Sequence, residues 1–93
     1  MDVIGKVVAI TGSLRPMTRI EVTAFLVERG AEVLPYVCKR TDVLIVGRRQ
    51  LDLFHIENVS KKYSKALALR EQGQPIELVS EEEFFKFVEE SQR

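Results

Sequence analysis

The sequence has no tryptophan, one cysteine and one histidine among its 93 residues. A single cysteine, Cys38, cannot form an internal disulfide, so we expect a reducing, cytoplasmic setting. His55 has no Cys/His cluster near it, so the spacing predicts no metal site. No stretch approaches the roughly 18 uncharged apolar residues that a membrane span requires, and the N-terminal residues carry no cleavable signal pattern.

The sequence also lacks the glycine-rich loops that hold nucleotides. The segment KVVAITGS looks like the opening of a dinucleotide-binding unit, but no second glycine follows Gly12 before Gly30, and a Walker A loop is absent. Nothing indicates that Ser13, Cys38 and His55 meet as a nucleophile system. We therefore expect neither a cofactor nor catalytic residues in this chain, which we predict is not itself an enzyme.

Length and composition indicate one small globular domain. Hydrophobic residues make up 45% and charged residues 30% of the chain, far from the composition of disordered proteins. We predict a single domain over residues 1–93 with its core at about 5–88. The formal net charge is zero, but residues 71–93 hold seven acidic against two basic residues. Such segregation is compatible with a basic surface for nucleic acid or with an ordinary solvated surface.

Hydrophobic patterning predicts the element order β-α-β-β-α-β-α. Three β-branched runs read as buried strands, and Thr18 with Glu21 has the spacing of a capping box that begins a helix. The strands are predicted at 6–10, near Val33, at 43–46 and at 76–79, and the helices at 18–30, 61–72 and from Ser80 onward. Residues 48–60 have no clean period, and we interpret them as a long connection. Alternating strands and helices predict an α/β fold, a parallel sheet inside a small three-layer sandwich.

The loop after the first strand carries the candidate binding residues. Ligands of open parallel sheets collect at the carboxyl ends of strands, where this chain has Thr11 and Gly12. A hydroxyl, a backbone N–H without a Cβ in the way and the Arg19 guanidinium together suit an anion. The alternative is a strand-to-helix turn that needs only a glycine and a cap.

The second helix begins with a basic stretch, SKKYSKA. It contains Lys61, Lys62 and Lys65. These lysines form either a solvated helix surface or, for Lys65, a third phosphate ligand beside Thr11 and Arg19. Periodicity alone leaves both interpretations open.

Five segments taken together resemble bacterial BRCT domains. They are GKVVAITGSL, MTR, TDVLIVG, SKKYSKA and PIELVSEEEF, in this order. The chain is similar to the BRCT domains of bacterial NAD-dependent DNA ligases and of DNA polymerase III epsilon-like exonucleases. The turn from Glu71 to Gln74 and the long segment before Ser60 favour the exonuclease type.

The resemblance implies a four-stranded parallel sheet of order 2-1-3-4 with about three helices, two on one face and one on the other. It also implies a phosphate site formed by Thr11, Gly12, Arg19 and Lys65. The implied ligand is a 5′-phosphorylated end or nick of duplex DNA in replication or repair. Further DNA backbone contacts are expected from other polar and basic residues: Ser13, Arg15, Arg48, Arg49, Lys61 and Lys62.

A protein ligand is the alternative function. Some relatives of this kind bind phosphopeptides, and the apolar residues of the long connection would form a patch for a protein partner or for a second copy of the chain if they are exposed. These residues are Leu51, Leu53, Phe54 and Ile56. If the chain is a fragment, the whole protein is expected to be a DNA ligase or an exonuclease.

Overall fold

The computed structural model describes residues 2–12, 14–47 and 61–91. Within them the chain forms four strands and three helices in the predicted order. In chain order they are β1 (Val7–Thr11), α1 (Arg19–Glu28), β2 (Glu32–Val33), β3 (Val43–Val46), α2 (Lys61–Glu71), β4 (Glu77–Ser80) and α3 (Glu81–Ser91).

The four strands form one parallel sheet in the order β2-β1-β3-β4. Ile10 pairs with Ile45 in the centre, and Ile45 pairs with Val79 on the other side. Every residue of β1 and β3 is buried, because strands covered by helices on both faces are apolar throughout. The predicted α/β class and the strand order 2-1-3-4 are both confirmed.

The helices form two layers, and each layer packs on one face of the sheet through its own apolar cluster. On one face of the sheet, Ile10 and Ile45 pack with Val22 and Leu26 of α1 and Phe84 of α3. On the other face, the alternate strand residues Ala9, Leu44 and Val46 pack with Ala66 and Leu69 of α2. This is the three-layer sandwich that was expected, with two helices on one face and one on the other.

Aromatic side chains join the helices of the two-helix layer. Phe25 of α1 meets Phe84 and Phe87 of α3 edge to face, with ring centroids 5.9 and 5.6 Å apart. Offset and edge-to-face geometries are the favourable ones for aromatic pairs. The phenylalanines of α3 therefore serve packing.

Helix α1 begins with the predicted capping box. The Glu21 N–H donates to the Thr18 hydroxyl at 3.1 Å, and the Thr18 N–H donates to the Glu21 carboxylate at 3.0 Å. These bonds satisfy backbone donors that a helix leaves unpaired in its first turn. A similar bond forms at the start of α3, where the Glu83 N–H donates to the Ser80 hydroxyl at 3.2 Å.

Two strands end one residue later than predicted. Thr11 closes β1 and Ser80 closes β4, because each continues the parallel ladder with the neighbouring strand, Thr11 beside Val46 and Val46 beside Ser80. The predicted connection at 48–60, with its apolar residues Leu51, Leu53, Phe54 and Ile56, lies outside the described residues. Among the helices that are described, none is long and apolar enough to cross a membrane.

A pair of leucines on different helices tests this account of the core. Leu26 is completely buried against the sheet, whereas Leu67 on α2 is 39% exposed. We expect Leu26→Ala to lower the free energy of unfolding by about 2–5 kcal/mol, because the deletion leaves a cavity. The same change at Leu67 costs much less. Urea unfolding followed by circular dichroism measures both, and equal losses would contradict the layer assignment.

Candidate anion-binding site

The candidate site lies at the edge of the sheet where the parallel strands end. β1, β3 and β4 run in the same direction, so Thr11, Val46 and Ser80 lie side by side. Helices α1 and α3 begin close to this edge, at Arg19 and Glu81. Strand ends and helix starts thus gather where ligands of open parallel sheets are found.

Thr11 and Gly12 end the first strand. Thr11 follows Ala9 by two residues, and alternation along a strand therefore directs its side chain to the α2 side of the sheet. It is buried, with 3% of its surface exposed, and its carbonyl accepts the Gly47 N–H at 2.8 Å. Gly12 has a φ of 80°, a left-handed conformation that glycine adopts without strain. Gly12 thereby turns the chain out of the sheet.

Arg19, the first residue of α1, returns to the end of β1. Its guanidinium donates to the carbonyl oxygens of Ile10 at 3.3 Å and Gly12 at 3.4 Å. Both distances are long for hydrogen bonds. These contacts therefore orient the side chain and leave most of the hydrogen-bonding capacity of the guanidinium for a ligand. Arg19 comes from the two-helix layer and crosses to the strand end, as its predicted role requires.

The second cation at this edge belongs to Lys62. Its ammonium donates to the same Ile10 carbonyl oxygen at 2.8 Å. Lys62 precedes the buried Ala66 by four residues and Leu69 by seven, a spacing that keeps it on the inward face of α2. Lys65, the lysine predicted for this role, is exposed on the same helix. The spacing distinguishes the two lysines once the burial of Ala66 and Leu69 is known.

The surroundings of Lys62 disfavour its charged form. Partial burial, and then the positive charge of Arg19, lower the pKa of Lys62 below the usual lysine value. Burial removes water that stabilises the ammonium, and a neighbouring cation repels it. An anion placed beside both side chains would reverse the second effect.

A cleft of about 740 Å³ adjoins this edge on the α1 side. Apolar residues form much of its lining, among them Ile10, Leu14, Met17 and Val22, and Arg19 stands at it together with Gly12. Arg15 also lines the cleft and is exposed. The cleft thus places apolar surface next to the cations.

The remaining predicted contact residues divide into two groups. Lys61 is exposed at the start of α2, next to Lys62 in sequence. Ser13, Arg48 and Arg49 lie outside the described residues. Within the described ranges, no group of three or more His, Cys, Asp or Glu side chains is placed to hold a metal ion.

These features define a class of protein: a small parallel α/β module with two cations at the carboxyl edge of its sheet. The family model of the BRCA1 C Terminus (BRCT) domain matches residues 5–87, and the chain belongs to the BRCT family. The resemblance inferred from the five sequence segments is thereby confirmed.

Curated relatives that match the chain are bacterial DNA ligases. The chain is 44% identical to a DNA ligase of Thermotoga neapolitana over 85 residues, 91% of the chain. It is 39% identical to the DNA ligase of Thermotoga maritima and 38% to that of Clostridium novyi, over 90% and 86% of the chain. The chain spans about 10% of the length of each of these ligases. No solved structure is significantly similar to it. The preference for the exonuclease type stays a prediction.

The lowered pKa of Lys62 yields a direct test. Removing the neighbouring cation with Arg19→Gln is expected to raise the pKa of Lys62 towards the usual lysine value, because the repulsion disappears. Arg15→Gln, in the loop before α1, is the control and leaves the Lys62 titration unchanged. NMR titration of the lysine side-chain ¹³Cε signals measures both, and an unshifted Lys62 in the Arg19 variant would show that the two cations do not interact.

Proposed function

We propose that this chain is a non-catalytic module that binds DNA through a 5′-phosphate at an end or nick. The observation that carries the proposal is the convergence of Arg19 and Lys62 on one carbonyl oxygen, that of Ile10. Two like charges held together cost free energy, and a doubly charged phosphate group that bridges them offsets that cost. The site therefore suits a terminal phosphate better than the singly charged diesters along a strand.

Each predicted ligand has a distinct part in this site. Arg19 offers a planar fork of donors to the phosphate oxygens, and Lys62, in the role first predicted for Lys65, offers a point charge. Gly12 brings a backbone N–H to the phosphate with no Cβ in the way. Thr11 contributes a hydroxyl at the buried end of β1. Lys65 then provides an outer charge on the exposed side of α2.

The charge distribution sets the direction from which duplex DNA approaches. Glu82 and Glu83 are exposed at the start of α3, which follows β4 on the far side of β3. Two inter-strand spacings separate β4 from β1, or about 10 Å. The duplex is expected to lie over α1 and the start of α2, away from these carboxylates. There Arg15, Lys61 and Lys65 serve as proposed backbone contacts. Ser13, Arg48 and Arg49, predicted for the same role, lie outside the described residues.

The wider role rests on the relatives. Since the matched proteins carry the name DNA ligase, we place the chain in a replication or repair protein, with a DNA ligase or an exonuclease as the whole protein if the chain is a fragment. A phosphopeptide is the competing ligand, because phosphoserine presents the same doubly charged group. The two ligands differ in whether a duplex beyond the phosphate adds affinity.

The experiment is fluorescence anisotropy with one duplex in 5′-phosphorylated and 5′-hydroxyl forms. The phosphorylated form is expected to bind more tightly. Arg19→Gln and Lys62→Gln should each weaken it by about tenfold to a hundredfold, because each removes a charge-assisted hydrogen bond worth about 1.5–3 kcal/mol. Each of these substitutions should also reduce the slope of log K against log salt by about 0.9, since one fewer phosphate charge is neutralised.

Lys39→Gln is the matched control. Lys39 is exposed and lies in the turn before β3, at the amino edge of the sheet, where the adjacent Arg40 pairs with Glu32 at 2.8 Å. Affinity should be unchanged in this variant. Equal binding of the two duplex forms discards the proposal, and a phosphoserine peptide that binds more tightly than the phosphorylated duplex transfers the site to a protein ligand.

A further inference from the structure

Lys62 differs from the neighbouring lysines of α2 in its surroundings. Lys61 and Lys65 are exposed, whereas Lys62 is partly buried and its nitrogen is held 2.8 Å from the Ile10 carbonyl oxygen. Three lysines thus occur within five positions of one helix, and one of them is fixed by the sheet. This arrangement allows a comparison of reactivity within a single molecule.

We propose that Lys62 is a site of acylation by acyl phosphates, such as acetyl phosphate, and that acylation switches the anion site off. Three features of the structure support the assignment. The lysine nitrogen is fixed, a guanidinium stands beside it to hold the phosphate part of the donor, and a cleft lies next to that guanidinium. Docking of the donor rests on the same anion site as the proposed function.

The amine also has the electronic character that the reaction needs. Lysine attacks only as the neutral amine, and desolvation or a nearby cation increases the neutral fraction. Both causes act on Lys62, partial burial first and Arg19 second, and they lower its pKa. One N–H of the neutral amine remains on the Ile10 oxygen, which leaves the lone pair free to attack.

The reaction balances without a further reagent. The Lys62 Nζ lone pair attacks the acyl carbon, the C–N bond forms, and the bond between that carbon and the bridging oxygen breaks. The electron pair of that bond leaves with the phosphate, which also takes up the proton released by nitrogen. The products are an amide and hydrogen phosphate.

Acylation changes the site in a predictable direction. The amide carries no positive charge. Of the two cations that meet at the end of β1, Arg19 alone then keeps its charge. The added acyl group also occupies space beside the carbonyl oxygen that the ammonium contacted. Both changes weaken the binding of a phosphate group.

The experiment treats the chain with acetyl phosphate and follows each lysine by quantitative peptide mass spectrometry. Lys62 is expected to be acetylated several-fold faster than Lys61 and Lys65, and inorganic phosphate should slow Lys62 selectively by competing for Arg19. Arg19→Gln should reduce the Lys62 rate towards that of its neighbours while the rate at Lys39 stays the same. A neutral N-hydroxysuccinimide ester, which needs no anion site for docking, should be slowed less by inorganic phosphate than acetyl phosphate is.

Labelling of Lys62 no faster than that of Lys61 and Lys65 overturns the inference, even if DNA binding depends on the 5′-phosphate. Selective labelling supports it, even if the DNA experiment fails, because acetyl phosphate then reports the anion site independently of DNA. Protein acetylated at Lys62 should lose the preference for a phosphorylated over an unphosphorylated duplex. A preference that survives full acetylation of Lys62 contradicts the switch.

Discussion

The parallel arrangement of four short strands is the constraint from which the other features follow. The parallel sheet is covered on both faces, because the crossovers from β1 to β2 and from β3 to β4 each pass through a helix. The central strands β1 and β3 are accordingly buried along their whole length, and helices occupy both sides. Every crossover leaves the sheet at the same edge. Side chains from helices in different layers therefore meet there, although they are distant in the sequence.

At this edge the Ile10 carbonyl oxygen brings two positive charges together. It accepts hydrogen bonds from Arg19 on one side of the sheet and from Lys62 on the other. The backbone oxygen holds the two side chains near each other, and burial together with repulsion from Arg19 lowers the pKa of Lys62. The closeness of these two cations is the basis of both proposals: it favours a phosphate ligand between them, and it favours the neutral amine of Lys62 that acylation requires.

Prediction from the sequence succeeded where a local pattern had a single structural solution. The β-branched run at 43–46 is a strand with the predicted bounds, and Thr18 with Glu21 forms the predicted capping box. Predictions that depended on contacts distant in the sequence were less accurate. The ends of β1 and β4 moved by one residue, because the ladder with a neighbouring strand, and not composition, decides where a strand ends. At the candidate site, Arg19 and Lys62 both donate to the Ile10 carbonyl oxygen, whereas Lys65 is exposed and its role as a phosphate ligand stays a prediction.

Local sequence patterns specified the α/β class, the order of the elements, the loop that begins at Gly12, and the family resemblance. These properties reside in short segments, where hydrophobic period, capping residues and glycines act within a few positions. Which lysine meets Arg19 depends instead on tertiary packing. That choice depends on the rotation of α2 against the sheet, which the burial of Ala66 and Leu69 sets. A helix several dozen residues away from β1 in the chain finds its rotation only by packing.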